Sequence, residues 1–164
     1  MDVEFKYARL KDLPTIVKTY NATIPSGKAT ADLKKVSVAS KVPWFKSHNK
    51  TTRPLWILLV NGRYAGWLSF NSFYGRPAYS GTVEVSLYLD SRYRGKGLGK
   101  AALAFAIREA PQREVHTLLG FIFEHNTESV QLFRKHGFED YGKLPAVANM
   151  RGTFRHLLIL GRKV

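Results

Sequence analysis

The segment Arg94-Gly95-Lys96-Gly97-Leu98-Gly99-Lys100 places three alternating glycines among basic residues. It follows an apolar run over 83–89 that is typical of a buried strand, and the pattern after it predicts a helix over 99–110. Glycine has no Cβ, so a ligand can approach the backbone closely. The first N–H groups of a helix have no partner within it, and the helix dipole makes that end positive. A strand, a glycine loop and a helix start in this order suit a phosphate or pyrophosphate group.

The spacing of the glycines argues against two common phosphate-binding loops. A P-loop has Ser or Thr after its Gly-Lys pair, whereas Lys100 is followed by Ala101. In a Rossmann fingerprint the third glycine would come one residue later. The pattern that does fit is Arg-x-x-Gly-x-Gly, formed by Arg94, Gly97 and Gly99, and it resembles the pyrophosphate loop of the GCN5-related N-acetyltransferases. An ordinary tight turn before a helix is the alternative reading of the same glycines.

Two further segments resemble this family. Asn126-Thr127-Glu128-Ser129, followed by Leu132-Phe133 and Gly137-Phe138, is similar to its C-terminal signature, and Ala8 to Pro14 is similar to its opening. The resemblance covers nearly the whole chain and implies one α/β domain over 1–164. The implied fold is a central, mostly antiparallel twisted sheet with a splayed pair of strands, flanked by helices. It also implies acetyl-CoA as the acetyl donor.

The pattern of elements agrees with a mixed sheet. The Asn61-Gly62 pair between apolar runs predicts a tight hairpin, which a simple doubly wound fold would lack. Strands are predicted over 3–10, 55–60, 64–70, 82–89, 117–123 and 154–160, with the start of another over 138–141, and helices over 13–20, 43–48, 99–110 and 126–136. Asp12 is predicted to cap the first helix, and 26–41 and 144–152 are predicted to be loops.

One branch of the family matches more closely. The run Arg76-Pro77-Ala78-Tyr79 and the strand 82–88 resemble the phosphinothricin and methionine sulfoximine N-acetyltransferases, which acetylate amino-acid-like amines. Phe133 departs from the family, because a proton-donating Tyr or His often stands there. The implied function is transfer of an acetyl group from acetyl-CoA to a small amino-acid-like amine. A protein N-terminal or polyamine acetyltransferase is an alternative.

Glu84 is the candidate general base, since a protonated amine must lose a proton before it can attack a thioester. It stands among apolar residues, so partial burial would raise its pKa and make it a better base. The resemblance gives it the same role, although a solvated strand carboxylate would look the same in sequence. The implied donors to the thioester oxygen and the pantetheine arm are the backbone N–H groups of Leu87, Tyr88 and Leu89.

Three other side chains are candidates for binding. Asn126 is expected to bind the pantetheine arm, to cap its helix, or to do both. Arg76 offers a planar fork for a substrate carboxylate, or it is an ordinary arginine in a turn. Tyr79 is a candidate for the substrate pocket. The histidines show no His-x-x-x-His spacing, so no metal site is predicted.

The composition excludes several chemistries. The chain contains no cysteine, which rules out disulfides, Cys-ligated zinc and a cysteine nucleophile. No apolar run is long enough to cross a membrane and no signal peptide is apparent, so a cytoplasmic protein is expected.

Lysine and arginine number 26 against 12 acidic residues, giving a net charge of +14, which disfavours a polycationic substrate. Because the basic residues are scattered, nucleic acid is not the expected partner, although a basic nucleic-acid-binding module with an inactive acetyl-CoA fold is an alternative. A homodimer is expected at the family level.

Overall fold

The computed structural model describes residues 1–164, and its centre is one seven-stranded sheet. The strands are β1 Val3–Tyr7, β2 Leu55–Val60, β3 Arg63–Ser72, β4 Thr82–Leu89, β5 Thr117–Phe123, β6 Glu139–Met150 and β7 Thr153–Lys163. Their spatial order is β1-β2-β3-β4-β5-β7-β6, and every neighbouring pair is antiparallel except the parallel pair β4–β5. The mixed α/β fold with a mostly antiparallel sheet is therefore confirmed.

Four α-helices flank this sheet. They are α1 Leu13–Asn21, α2 Val42–Lys46, α3 Leu98–Glu109 and α4 Thr127–Lys135. Asp12 precedes α1 as predicted, but its carboxylate accepts the Arg9 N–H at 2.7 Å and makes no cap hydrogen bond to α1, so the predicted capping role is wrong. None of the helices combines the length and hydropathy needed to span a bilayer.

The predicted hairpin between β2 and β3 is confirmed. Asn61 and Gly62 have φ values of 49° and 79°, and the strands pair from Val60 opposite Arg63. Positive φ at both central residues is the mark of a two-residue turn whose twist matches that of its strands. The hairpin brings β3 between β2 and β4, so β4 lies near the centre of the sheet.

The parallel pair β4–β5 separates part-way along its length. Thr82, Val83 and Glu84 pair with Thr117, Leu118 and Leu119. Beyond these residues β4 and β5 no longer pair with each other. Beyond Glu84, β4 stays paired with β3 and β5 stays paired with β7. The predicted splayed strand pair is confirmed, and it opens a gap between 85–89 and 120–123.

The predicted loop at 144–152 is wrong, because these residues belong largely to β6 and to its turn into β7. The edge strand β6 is irregular, with register shifts between Asp140 and Gly142 and between Leu144 and Ala148. Pro145 and Ala146 lie within the second shift, and Ala146 has a φ of 49°. Such bulges interrupt the two-residue alternation that identifies a strand in sequence. The predicted loop at 26–41 contains only a short turn, Ala39–Lys41, just before α2.

The main hydrophobic core lies between the sheet and the two helices α3 and α4. It contains 21 buried residues, among them Leu68, Leu98 and Phe133. A smaller buried cluster packs under α1 and includes Leu13, Ile16 and Trp67. Leu98, the first residue of α3, is almost fully buried and so fixes the start of that helix against the core.

Gly120 on β5 offers a test of core packing. A Cβ at this position would lie 2.7 Å from Cε2 of Phe133, inside van der Waals contact. Gly120→Ala is therefore expected to lower the free energy of unfolding by about 1–3 kcal/mol, the usual scale of overpacking. Gly142→Ala on β6 is the matched control, because its Cβ would lie 3.8 Å from Cδ1 of Ile159. Equal stability of both variants in urea unfolding would contradict this packing.

Candidate active site

A cavity of about 600 Å³ occupies the gap where β4 and β5 separate. It is lined by the following parts of the chain: α1, residues 28–31, Val36, Lys41 and Trp44, β3, β4, β5, α4, and the hairpin of β6 and β7. Most of the lining side chains are hydrophobic, and Glu84 is the only acidic one. The splayed strands thus bring a single carboxylate into a mostly apolar cavity.

Glu84 stands at the last paired position of β4, where the two strands begin to part. Burial raises the pKa of its carboxyl group above the usual value. Its carboxylate forms none of the five ion pairs and accepts no side-chain hydrogen bond within the protein. An unpaired carboxylate with a raised pKa can accept a proton from a ligand, which is the property a general base needs.

A polar group that the sequence reasoning missed lies beside Glu84. Asn71 is directly opposite Glu84 in the β3–β4 register, and its amide is 3.0 Å from Ser86 Oγ and 3.1 Å from Ser69 Oγ. The same amide is 3.0 Å from Nε2 of His48, whose Nδ1 lies 2.9 Å from the Trp44 carbonyl oxygen. Burial lowers the pKa of His48. No sequence signal could have placed Asn71 opposite Glu84, because the Asn61-Gly62 turn sets the pairing of β3 with β2 and not with β4.

The backbone of β4 presents donors to the gap. The Asp90 N–H donates to Ala65 O at 2.8 Å, on the β3 side of the strand. Because backbone groups point to alternate sides along a strand, the N–H groups of Leu87 and Leu89 point away from β3. No strand accepts them there, since β5 has already separated. Of the three predicted donors, Leu87 and Leu89 therefore face the gap, whereas the Tyr88 N–H faces β3.

The glycine loop leaves its backbone donors free. None of the N–H groups of 95–100 donates a hydrogen bond within the protein, and Gly95 and Gly97 have φ values of 71° and 83°. The basic side chains of Arg94, Lys96 and Lys100 are exposed and form no ion pair, and Gly99 packs within α3 against Leu132. The neighbouring Arg92 differs, because Asp90 binds its guanidinium at 3.0 Å. Free N–H groups and unpaired cations at a helix start form a binding place for an anion.

Two residues of α4 occupy the far side of the cavity. Asn126 caps α4 through a long hydrogen bond of 3.5 Å from the Ser129 N–H, and it donates to Lys28 O at 3.4 Å. Phe133 lines the cavity with its ring 4.9 Å from that of Phe138. Its side chain has no proton to donate.

Arg76 and Tyr79 do not line the cavity. Both are exposed on the loop between β3 and β4, where the Tyr79 ring packs 5.7 Å from Phe73. Phe73 in turn stacks on Phe121 at 6.1 Å, and Phe121 lines the cavity. The two predicted substrate-binding residues are thus on a loop that borders the cavity, and the structure does not bring them to Glu84.

An aromatic wall forms the other side of the cavity. The rings of Trp44 and Trp67 are 5.3 Å apart, Trp67 stacks on Tyr88 at 4.8 Å, and Tyr88 meets Tyr20 at 5.1 Å. The Trp67 indole N–H is buried and has no acceptor in the protein. The third tryptophan, Trp56, lies in the main core instead.

Residues 27–36, which we name the strap, lie over the cavity and are held by side chains from other elements. The Tyr88 hydroxyl donates to Ala29 O at 3.0 Å, and Asn21 exchanges two hydrogen bonds of 2.9 Å with the Val36 backbone. The Tyr20 hydroxyl donates to Asp32, and burial raises the pKa of Tyr20 to about 12. These polar contacts hold the strap against the cavity that its residues 28–31 and Val36 line.

A sheet that splays around a cavity, followed by a glycine loop with free N–H groups at a helix start, defines a class of protein that binds an extended, phosphate-bearing ligand between two strands. A model of the Acetyltransferase (GNAT) family matches residues 19–138. The chain belongs to this family.

Similar proteins cover nearly the whole chain. YwnH of Bacillus subtilis (strain 168), provisionally named a phosphinothricin acetyltransferase, is 44% identical over 97% of this chain and 98% of that protein. The L-methionine sulfoximine/L-methionine sulfone acetyltransferase of Pseudomonas aeruginosa is 29% identical over 98% of this chain and 94% of that protein. The phosphinothricin acetyltransferase of Sinorhizobium meliloti, solved in complex with acetyl-CoA, has a TM-score of 0.92 and 27% identity, covering 100% of this chain and 89% of that chain.

Proposed function

We propose that the protein transfers an acetyl group from acetyl-CoA to the amino group of a small amino-acid-like substrate. The observation that carries this proposal is the unpaired carboxylate of Glu84 at the point where β4 and β5 separate. The relatives named for phosphinothricin and methionine sulfone acetylation support the substrate class. The solved relative with acetyl-CoA bound supports the donor.

The chain offers a binding group for each part of acetyl-CoA. The free N–H groups of 95–100, with Arg94, Lys96 and Lys100, suit the pyrophosphate. The gap between the splayed strands suits the pantetheine arm, and Asn126 is proposed to bind it at the far side. The N–H groups of Leu87 and Leu89 suit the thioester oxygen, where they would stabilise the oxyanion that develops during attack.

The proposed reaction begins when Glu84 accepts a proton from the substrate ammonium group. The freed lone pair attacks the thioester carbonyl carbon, and the tetrahedral oxyanion then collapses as the C–S bond breaks. The second amine proton ends on the coenzyme sulfur by way of solvent, because Phe133 cannot donate one, and Glu84 releases the first proton to solvent before the next turnover. A free thiol has a pKa of about 8.5, so a thiolate is an acceptable leaving group near neutral pH.

The cavity disfavours the alternative substrates. A polyamine carries several positive charges, whereas Glu84 is the only acidic residue of the lining and two lysines accompany it. A protein N-terminus carries further residues behind its amine, and the strap that Tyr88 and Asn21 hold in place takes up part of the space around the cavity. The nucleic-acid-binding alternative leaves the unpaired Glu84 in the cavity without a role.

The test is an acetylation screen with acetyl-CoA. We expect turnover with phosphinothricin, methionine sulfoximine or methionine sulfone and little with spermidine or a peptide amine. Turnover of spermidine or a peptide in preference to every amino acid would contradict the proposed substrate class. Salt-sensitive binding of DNA or RNA, with no acetylation of any amine, would favour the nucleic-acid alternative.

Arg76 is proposed to meet the substrate only at the cavity rim, and Tyr79 beside it has the same limited role. Arg76→Ala is therefore expected to raise the KM for an amino acid less than about 10-fold, as exposed charges contribute little. The affinity for acetyl-CoA, measured by calorimetry, should not change. A rise in KM of more than 100-fold would instead place Arg76 in direct contact with the substrate.

Three broader expectations stay proposals. The sheet that joins β1 near one terminus to β7 near the other supports a single domain over 1–164. A homodimer is supported by exposed apolar side chains on the β6–β7 hairpin, including Leu144, Val147 and Phe154, and sedimentation would test it. A cytoplasmic location is supported by the lack of cysteine, and cell fractionation would test it.

A further inference from the structure

Lys41 is an unpaired cation in the wall of the cavity. It immediately precedes α2, it is half-buried, and its Nζ lies 5.6 Å from the centre of the Tyr20 ring. It takes part in none of the ion pairs and donates no side-chain hydrogen bond. Asp32 of the strap accepts from the Tyr20 hydroxyl rather than pairing with Lys41.

The cavity therefore holds one unpaired anion and one half-buried unpaired cation on different elements. Glu84 belongs to the sheet, and Lys41 belongs to the segment that follows the strap. A charge against an apolar wall that has no ion-pair partner is costly, because it loses hydration. For Lys41 the Tyr20 ring supplies a cation–π contact but no anion. A ligand with one positive and one negative group would supply the missing partner to both residues.

We infer that Lys41 binds the carboxylate of the amino-acid substrate while Glu84 receives its ammonium group. This inference rests on the proposed function and names the residue that selects amino acids over simple amines. Both charged residues line the same cavity, and the Tyr20 ring under the Lys41 ammonium meets the Tyr88 ring to form an apolar floor for the substrate side chain. The carboxylate takes no part in bond making, so Lys41 acts only in binding.

The other basic residues near the cavity fit this role less well. Lys28 lines the cavity but is exposed, and its backbone carbonyl accepts from Asn126, which places it on the α4 side proposed for the pantetheine arm. Arg76 does not line the cavity. A cation that is partly removed from water interacts more strongly with a carboxylate than an exposed one, so Lys41 has the larger effect to offer.

The test compares L-methionine sulfone with its decarboxylated analogue, 3-(methylsulfonyl)propan-1-amine, in the parent and in Lys41→Met. Methionine keeps the length of the side chain and removes its charge. The ratio of kcat/KM for the amino acid to that for the amine should fall about 10- to 100-fold, the scale of one charged hydrogen bond. Comparing this ratio between two enzymes cancels the intrinsic difference in basicity between the two amines.

Matched variants separate the role of Lys41 from a general loss of charge. Lys41→Arg is expected to restore most of the preference for the amino acid. Lys46→Met removes an exposed charge from α2 that does not line the cavity, and it should leave the ratio at the parental value. Thermal unfolding of each variant shows that a change in the ratio does not come from loss of fold.

The outcomes separate this inference from the proposed function. A parent enzyme that acetylates neither compound overturns both. Acetylation of methionine sulfone with an unchanged ratio in Lys41→Met overturns the role of Lys41 and leaves the function intact. A ratio that falls in Lys28→Met or Arg76→Ala, but not in Lys41→Met, assigns the carboxylate to that other residue and overturns the inference.

Discussion

Replacing Glu84 by glutamine lowers kcat by about 10²–10⁴-fold at neutral pH, the usual scale for removing a general base. Glutamine keeps the size of the side chain and its position at the end of the β4–β5 pairing, but it cannot accept the proton of the substrate ammonium group. Phe133 gives the site no alternative acid or base at its place on α4. A stopped-time assay of acetylated product measures the loss directly.

The pH dependence of the rate should differ between the parent enzyme and Glu84→Gln. In the parent enzyme, kcat/KM falls as the pH drops through the raised pKa of Glu84, because the protonated carboxyl group no longer acts as a base. Glu84→Gln lacks that ionisation, so its rate follows only the fraction of substrate amine that is already neutral. The difference between parent and variant should therefore shrink as the pH rises.

As the pH rises, the ionisation of Glu84 should lower the stability of the parent enzyme while it raises the activity. Burial raises the pKa of Glu84 in the folded protein, so the folded state holds this proton more tightly than the unfolded state. As the pH rises from the ordinary glutamate pKa through the raised one, the parent loses stability that Glu84→Gln does not lose. In urea unfolding, the free energy of unfolding of the variant relative to the parent should rise as the pH increases across this window. Below the window the difference should stay constant.

Glu4→Gln is the control, because Glu4 is an exposed glutamate on β1, far along the sheet from the cavity. It should keep the parental kcat at every pH. Parental turnover by Glu84→Gln at pH 7 would remove Glu84 from the mechanism, and an acidic limb that persists in the variant would assign that ionisation to another group.

Gly97→Val is expected to weaken acetyl-CoA binding roughly 10²-fold, which corresponds to losing about one or two hydrogen bonds to a charged group. Gly97 has a φ of 83° and precedes α3, and a Cβ there would meet no protein atom within 4 Å. The space that the new side chain would fill is therefore the open face toward which a pyrophosphate must approach. A β-branched residue also strains this backbone conformation, which would turn the free N–H groups of the loop.

Gly62→Val controls for that strain. Gly62 has nearly the same φ, 79°, and equally open surroundings, but it lies in the β2–β3 hairpin. Both variants should lose a similar free energy of unfolding, about 1–3 kcal/mol. Calorimetry with acetyl-CoA should then show weaker binding for Gly97→Val alone, and equal affinity in the two variants would refute the role of the glycine loop.

Local patterns were enough to predict most of this fold. Gly97 lies in the glycine loop just before α3, Asn61-Gly62 forms a hairpin, and Gly137 follows α4 with a φ of 81°, each because the backbone there needs a conformation that few residues adopt. The edge strand β6 could not be predicted in the same way. Its partner β7 supplies the hydrogen bonds, and the bulge at Pro145 and Ala146 hides the strand pattern.

The candidate site also contains residues that local sequence patterns predict and residues that they do not. Glu84 and the loop 94–100 lie within one stretch of chain, so their proximity follows from strand, loop and helix in sequence. Asn71, His48 and Lys41 reach the cavity from other segments, and no local pattern shows that they meet Glu84. Arg76 shows that proximity in sequence is not enough. It lies only a few residues before β4, but the structure places it on an exposed loop outside the cavity.

The strap is held largely through its main chain, and the side chains that also hold it are those of Thr30 and Asp32, which meet the Tyr20 hydroxyl. Its carbonyl oxygens accept hydrogen bonds from side chains outside the strap, as follows: Gly27 from His125, Lys28 from Asn126, Ala29 from Tyr88 and Leu33 from Arg151. A backbone carbonyl is the same whichever side chain it accompanies. Positions 28–31, which line the cavity, can therefore change identity without loosening these hydrogen bonds. Substrate preference in this enzyme can thus evolve by substitutions in the strap while the sheet and the coenzyme loop stay unaltered.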